Sequence, residues 1–173
     1  MLHIETYYIN YDKLKFIFQI ENNILELKIV IILLFLIMIN TGDRITIQEL
    51  IAKYNLAIDN KNLNEWINTW TDEGVWTTTF GEAKGKTELN NMINQITNEF
   101  ANGKRHLSTT IIIEDAQNNM ASAKSYLTVI EAHNSPEVVA SGTYSDIIKK
   151  NNNGEWKFFQ RKLDIDLVNE VNE

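Results

Sequence analysis

From Gly103 to Asp166 the chain consists of four runs rich in β-branched and aromatic residues, 105–114, 120–132, 138–150 and 155–166, separated only by short polar segments. These segments are Gln117-Asn118-Asn119, Asn134-Ser135-Pro136 and Asn151-Asn152-Asn153-Gly154. Asn and Gly tolerate the left-handed backbone of tight reversals, and Pro and Ser favour turn starts. A parallel crossover needs about a dozen residues or more, so connections this short force antiparallel neighbours. The C-terminal part is therefore expected to be a four-strand meander. One face of such a sheet has to be covered, and the covering layer must come from residues before Gly103.

Those residues read as helices around one strand. Thr46 with Glu49 makes a capping-box pattern, and Ile47, Leu50, Ile51, Tyr54 and Ile58 then share a helical face, predicting a helix from Thr46 to about Asp59. Asn62 with Glu65 repeats the start signal, and Leu63, Trp66, Ile67 and Trp70 predict a short helix ended by a turn at Asp72-Glu73-Gly74. Residues 75–80 read as a strand with Trp76 and Phe80 on one face. Thr87 is placed to cap a further helix, whose apolar residues Leu89, Met92, Ile93, Ile96 and Phe100 share one face and which Gly103 closes. The fold class is α+β: three helices packed on a curved antiparallel sheet, together enclosing a cone open at its wide end.

Composition changes near residue 40, where the apolar run 29–39 meets Asn40-Thr41-Gly42-Asp43-Arg44. Eleven residues are too few for a spanning helix, which needs about 20. Residues 1–40 are read as an extension, of which 1–37 are expected to pack poorly on the rest. It is a leader upstream of a start at Met38, a weak membrane anchor or partner-binding helix over 24–39, or an export signal, although no small-residue cleavage pattern follows the run. The domain proper is 41–166, with 167–173 a tail. It is expected in the cytoplasm, with membrane association or export as the alternatives if the apolar run acts.

The chain has 16 basic against 23 acidic side chains, a formal net charge of −7, and no cysteine. An acidic chain without a basic stripe is a poor partner for nucleic acid. Without Cys there are no disulfides or thiolate sites, and His3, His106 and His133 show no metal-ligand spacing. No cofactor is expected. Gly81-Glu82-Ala83-Lys84-Gly85-Lys86-Thr87 looks like a phosphate-binding loop, but it has three residues between the glycines where that motif needs four. It is expected to form a loop over the cavity mouth.

Several short motifs, each weak alone, occur in a specific order. They are Tyr54-x-x-Ala57-x-Asp59 followed by Trp66; Asp72-Glu73-Gly74-Val75-Trp76 leading to Gly81 and Gly85; Arg105-His106; and Gly142-x-Tyr144-x-Asp146 before Gly154-x-Trp156-Lys157-Phe158 and Arg161. Over about Thr46 to Asp166 this order resembles the SnoaL-like branch of the nuclear-transport-factor-2-like superfamily. The resemblance implies a cone-shaped cavity and, in many members, dehydratase, isomerase or cyclase activity. Others are binding modules or accessory subunits of oxygenases. It also implies a homodimer joined back to back through the sheets.

In members that dehydrate or isomerise, a tyrosine matching Tyr54 and a histidine matching His106 form an acid/base pair, and an acidic residue matching Asp59 can orient the site. The chemistry suits them. Imidazole titrates near pH 6.5 and can take a proton beside a carbonyl, while a phenol can donate to the developing oxyanion. Asp59 could equally cap or turn the chain, and Tyr54 could be a core aromatic. Trp76, Tyr144 and Arg161 are the candidate ligand contacts. A closing loop of two or four residues would set Tyr144 opposite Arg161, which would either bind an anionic group or pair with Asp146. The simplest register puts Val129, which carries no proton, opposite His106, with Glu131 next along that face. The expected ligand is a small hydrophobic carbonyl compound.

Overall fold

The computed structural model describes residues 11–37, 41–99, 103–115, 119–133 and 137–168. The chain divides into two compact units, 1–38 and 39–173. In the first, α1 (Tyr11–Ile37) carries exposed apolar side chains at Ile24, Leu25, Leu27, Ile29, Val30, Ile31 and Ile32. Among the described residues no helix is long and apolar enough to cross a membrane.

The second unit runs α2 (Thr41–Asp59), α3 (Leu63–Asn68), β1 (Trp70–Thr78), β2 (Gly81–Lys84), α4 (Gly85–Glu99), β3 (Lys104–Asp115), β4 (Met120–Glu131), β5 (Val138–Lys150) and β6 (Trp156–Val168). One curved, unclosed sheet of six strands has the order β2-β1-β6-β5-β4-β3. The meander β3–β6 is antiparallel throughout, as its short turns require. β1 joins it beside β6, and that pair alone is parallel. Phe100 and the turn residues 116–118 and 134–136 lie outside the described residues.

Five boundaries differ from the sequence reading. α2 begins at Thr41. The Thr46 hydroxyl donates back to the carbonyls of Gly42 and Asp43, as threonines inside helices do, while Asp43 anchors the first turn by accepting from Lys150 Nζ at 2.7 Å and Trp156 Nε1 at 2.9 Å. Trp70 belongs to β1, opposite Phe158, and Asp72-Glu73-Gly74 forms an irregularity in that strand rather than a turn. Phe80 sits in the turn after β1 and is 74% exposed, and the loop expected at 81–84 is strand β2. α4 starts at Gly85, where Glu88 rather than Thr87 meets an orphan donor, accepting from the Lys84 N–H at 2.9 Å. β6 runs through Leu167 and Val168, beyond the domain end at 166 that the sequence predicts. The start of α3 is as read: Asn62 Oδ1 accepts from the Glu65 N–H at 3.2 Å and its amide donates to the Glu65 carboxylate at 2.9 Å.

Ile47, Leu50, Ile51, Tyr54 and Ile58 are all buried, so the predicted stripe of α2 faces the sheet. Tyr54 is the hub of the core. Its ring lies 5.4–6.4 Å, centroid to centroid, from Trp66, Trp70, Trp76, Tyr144 and Phe158. Such tilted and edge contacts are worth about 0.5–1.5 kcal/mol each beyond the area they bury.

Candidate functional site

α2 is tied to β3 by side chains at matching intervals. Asn55 Nδ2 donates to Ser108 Oγ at 2.9 Å, and four residues further on Asp59 meets His106, two residues earlier on the strand. Four helical residues rise about 6 Å and two strand residues about 6.8 Å, so an antiparallel helix and strand keep step over this interval. Arg44 extends the series, donating to the Ile113 carbonyl at 2.7 Å.

The Asp59 contact sets the state of the imidazole. Asp59 Oδ1 lies 2.7 Å from His106 Nδ1, and both carboxylate oxygens accept from the His106 backbone N–H at 3.2 Å. A carboxylate only accepts, so Nδ1 carries the proton and Nε2 is left as the basic nitrogen. Both side chains are nearly closed to solvent, His106 at 7% and Asp59 at 5% exposure. The position of Asp59 at a helix end therefore serves the histidine, holding it at both Nδ1 and its backbone N–H.

A cavity of about 710 Å³ lies between α2, α4 and the sheet, and His106, Tyr54, Trp76 and Tyr144 all line it. Its inner wall is apolar, with Ile58, Leu127, Val129, Ala140 and Leu163 among the contributors. Val129 faces His106 in the register β3–β4, as read from the sequence. Glu131 pairs instead with Lys104 across the strands, and its carboxylate accepts from the backbone N–H groups of Ala132 and His133.

Tyr54 contributes its ring to the wall, but its hydroxyl is enclosed and makes no well-formed hydrogen bond, with Arg161 and Tyr144 as its polar neighbours. Burial pushes the phenol well above the usual tyrosine range, with the neighbouring Tyr144 adding to the rise and Arg161 opposing it. Burial likewise raises Tyr144.

Arg161 does not line the cavity. It is 1% exposed, its Nε and Nη2 donate to the two Asp146 oxygens at 2.8 Å each, and its guanidinium carbon sits 3.9–4.3 Å from the ring centroids of Tyr144, Phe158 and Tyr54. Burial opposes its charge, but Asp146 more than compensates and raises its pKa above the ordinary value. Of the two roles open to it on sequence grounds, the structure shows the Asp146 pair. The register differs from the one read, since Asp146 is opposite Arg161 and Tyr144 is opposite Leu163. The closing loop leaves Lys150 opposite Trp156, one residue longer than read, and a register shift between Ile147 and Ile148 adds one more, so the pairing moves by two. The segment read as lying over the cavity mouth does supply Gly81, Glu82 and Ala83 to the lining, as strand β2, whereas Glu88, Asn91 and Gln95 of α4 beside it were not singled out from the sequence. Among the described residues no group of three His, Asp or Glu converges to hold a metal ion.

A family model described as a SnoaL-like domain matches residues 41–162. The chain belongs to the SnoaL-like family. No curated protein sequence matches it. Among solved structures, this SnoaL-like chain is similar to a protein of unknown function with a cystatin-like fold from Nostoc punctiforme, at 30% identity and a TM-score of 0.70 over 74% of this chain and 94% of that one. An NTF2-like protein from Novosphingobium aromaticivorans matches at 20% identity and TM-score 0.65, over 72% and 82% of the two chains. ActVI-ORFA from Streptomyces coelicolor matches at 18% and 0.66, over 73% and 98%. The last two establish the fold alone. The SnoaL-like domain thus has the nuclear-transport-factor-2-like architecture, with a histidine–carboxylate pair at the wall of its cavity.

Proposed function

We propose that the domain is an acid–base enzyme of the lyase or isomerase type, acting on a small hydrophobic carbonyl compound. The observation that carries this reading is the Asp59–His106 contact at the cavity wall. His106 Nε2 takes a proton from carbon next to the carbonyl. Asp59 holds the tautomer and balances the imidazolium that forms, as the carboxylate of a catalytic triad does. The developing oxyanion needs a donor, and the Tyr54 hydroxyl is the candidate; it is enclosed, so the wall beside it must yield when ligand enters.

A non-catalytic binding module is the second reading. Val129 favours it, since it stands opposite His106 where a second proton-transfer group would complete a dehydratase site.

The test is a screen of the full chain against small enones and short uncharged β-hydroxy thioesters, with three variants. Asp59→Asn and His106→Ala are each expected to lower kcat/KM by about 10²-fold or more, the scale of general acid–base catalysis. Tyr54→Phe is expected to lower kcat with little effect on KM. Turnover that survives His106→Ala excludes the acid–base reading, and a ligand bound without turnover selects the binding module.

A further inference from the structure

The walls and mouth of the cavity carry a charge pattern that bears on what can enter. Among the described residues, no Lys or Arg lines it. The residues of unit 39–173 that lie outside the description include neither Lys nor Arg in sequence, so no undescribed cation of that unit is left to supply one.

The cations that come near are already matched. Arg161 is held bidentately by Asp146 behind three aromatic rings. Lys84 sits 2.9 Å from Glu82 at the mouth. Lys104 is two residues from His106 on the same strand face, opposite Glu131, whose carboxylate feels its charge. Protonated His106 would be balanced by Asp59.

The lining charges are acidic. Glu82 and Glu88 face the cavity from its exposed rim, beside the neutral Asn91 and Gln95, while the inner wall is Trp76, Leu127, Val129 and Leu163. An anion entering here would pass Glu88 and then lose its hydration against hydrocarbon with no counter-charge. A neutral carbonyl compound meets neither obstacle.

We infer that the cavity selects uncharged ligands and rejects carboxylates, phosphates and the phosphate-bearing carriers of acyl groups, with its apolar, cation-free lining and Glu88 at the rim setting this preference, since the charge of Glu82 is met by Lys84. The inference rests on the reading of this cavity as the ligand site, and it narrows the substrate class of the proposed reaction to free neutral carbonyl compounds.

The experiment compares two probes of matched shape, 2-acetylnaphthalene and 2-naphthoate, by calorimetry on the full chain at pH 7.5 and low salt. The ketone is expected to bind at least tenfold more tightly than the carboxylate. Asn91→Lys, which sets a cation at the exposed rim, is expected to shrink that ratio at least threefold by improving the carboxylate alone. Equal or tighter binding of 2-naphthoate, binding of neither probe, or a ratio unmoved by Asn91→Lys overturns the inference. Its failure is separable from that of the catalytic reading. A protein that keeps the ratio but turns over no neutral substrate refutes the enzyme and not the selectivity, whereas one that processes anionic substrates through His106 does the reverse.

Discussion

Burying a guanidinium is costly unless its charge and donors are met, and Arg161 meets most of both through Asp146 and the three rings around it. Its Nη1 makes no well-formed hydrogen bond, and neither does the Tyr54 hydroxyl beside the same cluster. Removing one member of such a pair leaves an uncompensated buried charge. Asp146→Ala and Arg161→Met are therefore each expected to cost about 3–5 kcal/mol in urea unfolding, and the double replacement by apolar residues to cost less than either single change. Single losses under about 1 kcal/mol would show that the pair is far better solvated than its burial implies. For the candidate site, the sequence offers Tyr54, Asp59 and His106, because the spacing of the motif and the strand start carry chemistry-bearing side chains, and the structure brings Asp59 to His106. Which partner Asp59 would take was not legible. An aspartate at a helix end can cap, turn or reach a strand, and only the helix-to-strand interval decides among these.

At the scale of elements, Thr110 and Gly142 show what local strain and close contact do inside the sheet. Thr110 takes a φ of 52° within β3, where the β3–β4 register shifts between Thr109 and Ile112. A β-branched residue there costs about 1–3 kcal/mol relative to a relaxed conformation. Thr110→Gly is expected to raise the unfolding midpoint despite the entropy glycine adds to the unfolded chain, whereas Thr110→Val should not. Gly142 is the opposite case: a Cβ added to it would stand 2.6 Å from the Asp164 carbonyl oxygen, at the shift in the β5–β6 register. Gly142→Ala should therefore lower the midpoint, and a melt unchanged in both variants would mean that these bulges relax freely. The helix stripes and the meander could be read in advance because they depend on periodicity and turn length, which are local. The bulges, and the turn signal absorbed into β1, depend on what the neighbouring strand does.

The whole molecule adds a pH dependence that no single element has. Tyr54 and Tyr144 both have phenols raised by burial above the ordinary value of 10.0. A raised folded-state pKa means that the folded protein keeps these protons after the unfolded chain begins to lose them. Their contribution to stability is whole below about pH 10 and declines as pH climbs from there toward the folded values. Unfolding free energy should thus fall between pH 10 and 11 with a slope of up to about 1.4 kcal/mol per pH unit for each tyrosine. Urea titrations at pH 9, 10 and 11 on wild type and Tyr54→Phe check this: the variant should lose one tyrosine's share of the slope, and parallel slopes would refute it. The sequence by itself determined the antiparallel meander, the buried stripe of α2, the family and the residues able to move a proton, since period, turn length and motif order are properties of neighbouring residues along the chain. Only the tertiary structure decided that β1 runs parallel to β6 and that Asp59 serves His106 while Asp146 claims Arg161. Each of these is a contact between distant segments, fixed by sheet register and by the need to pair every buried charge.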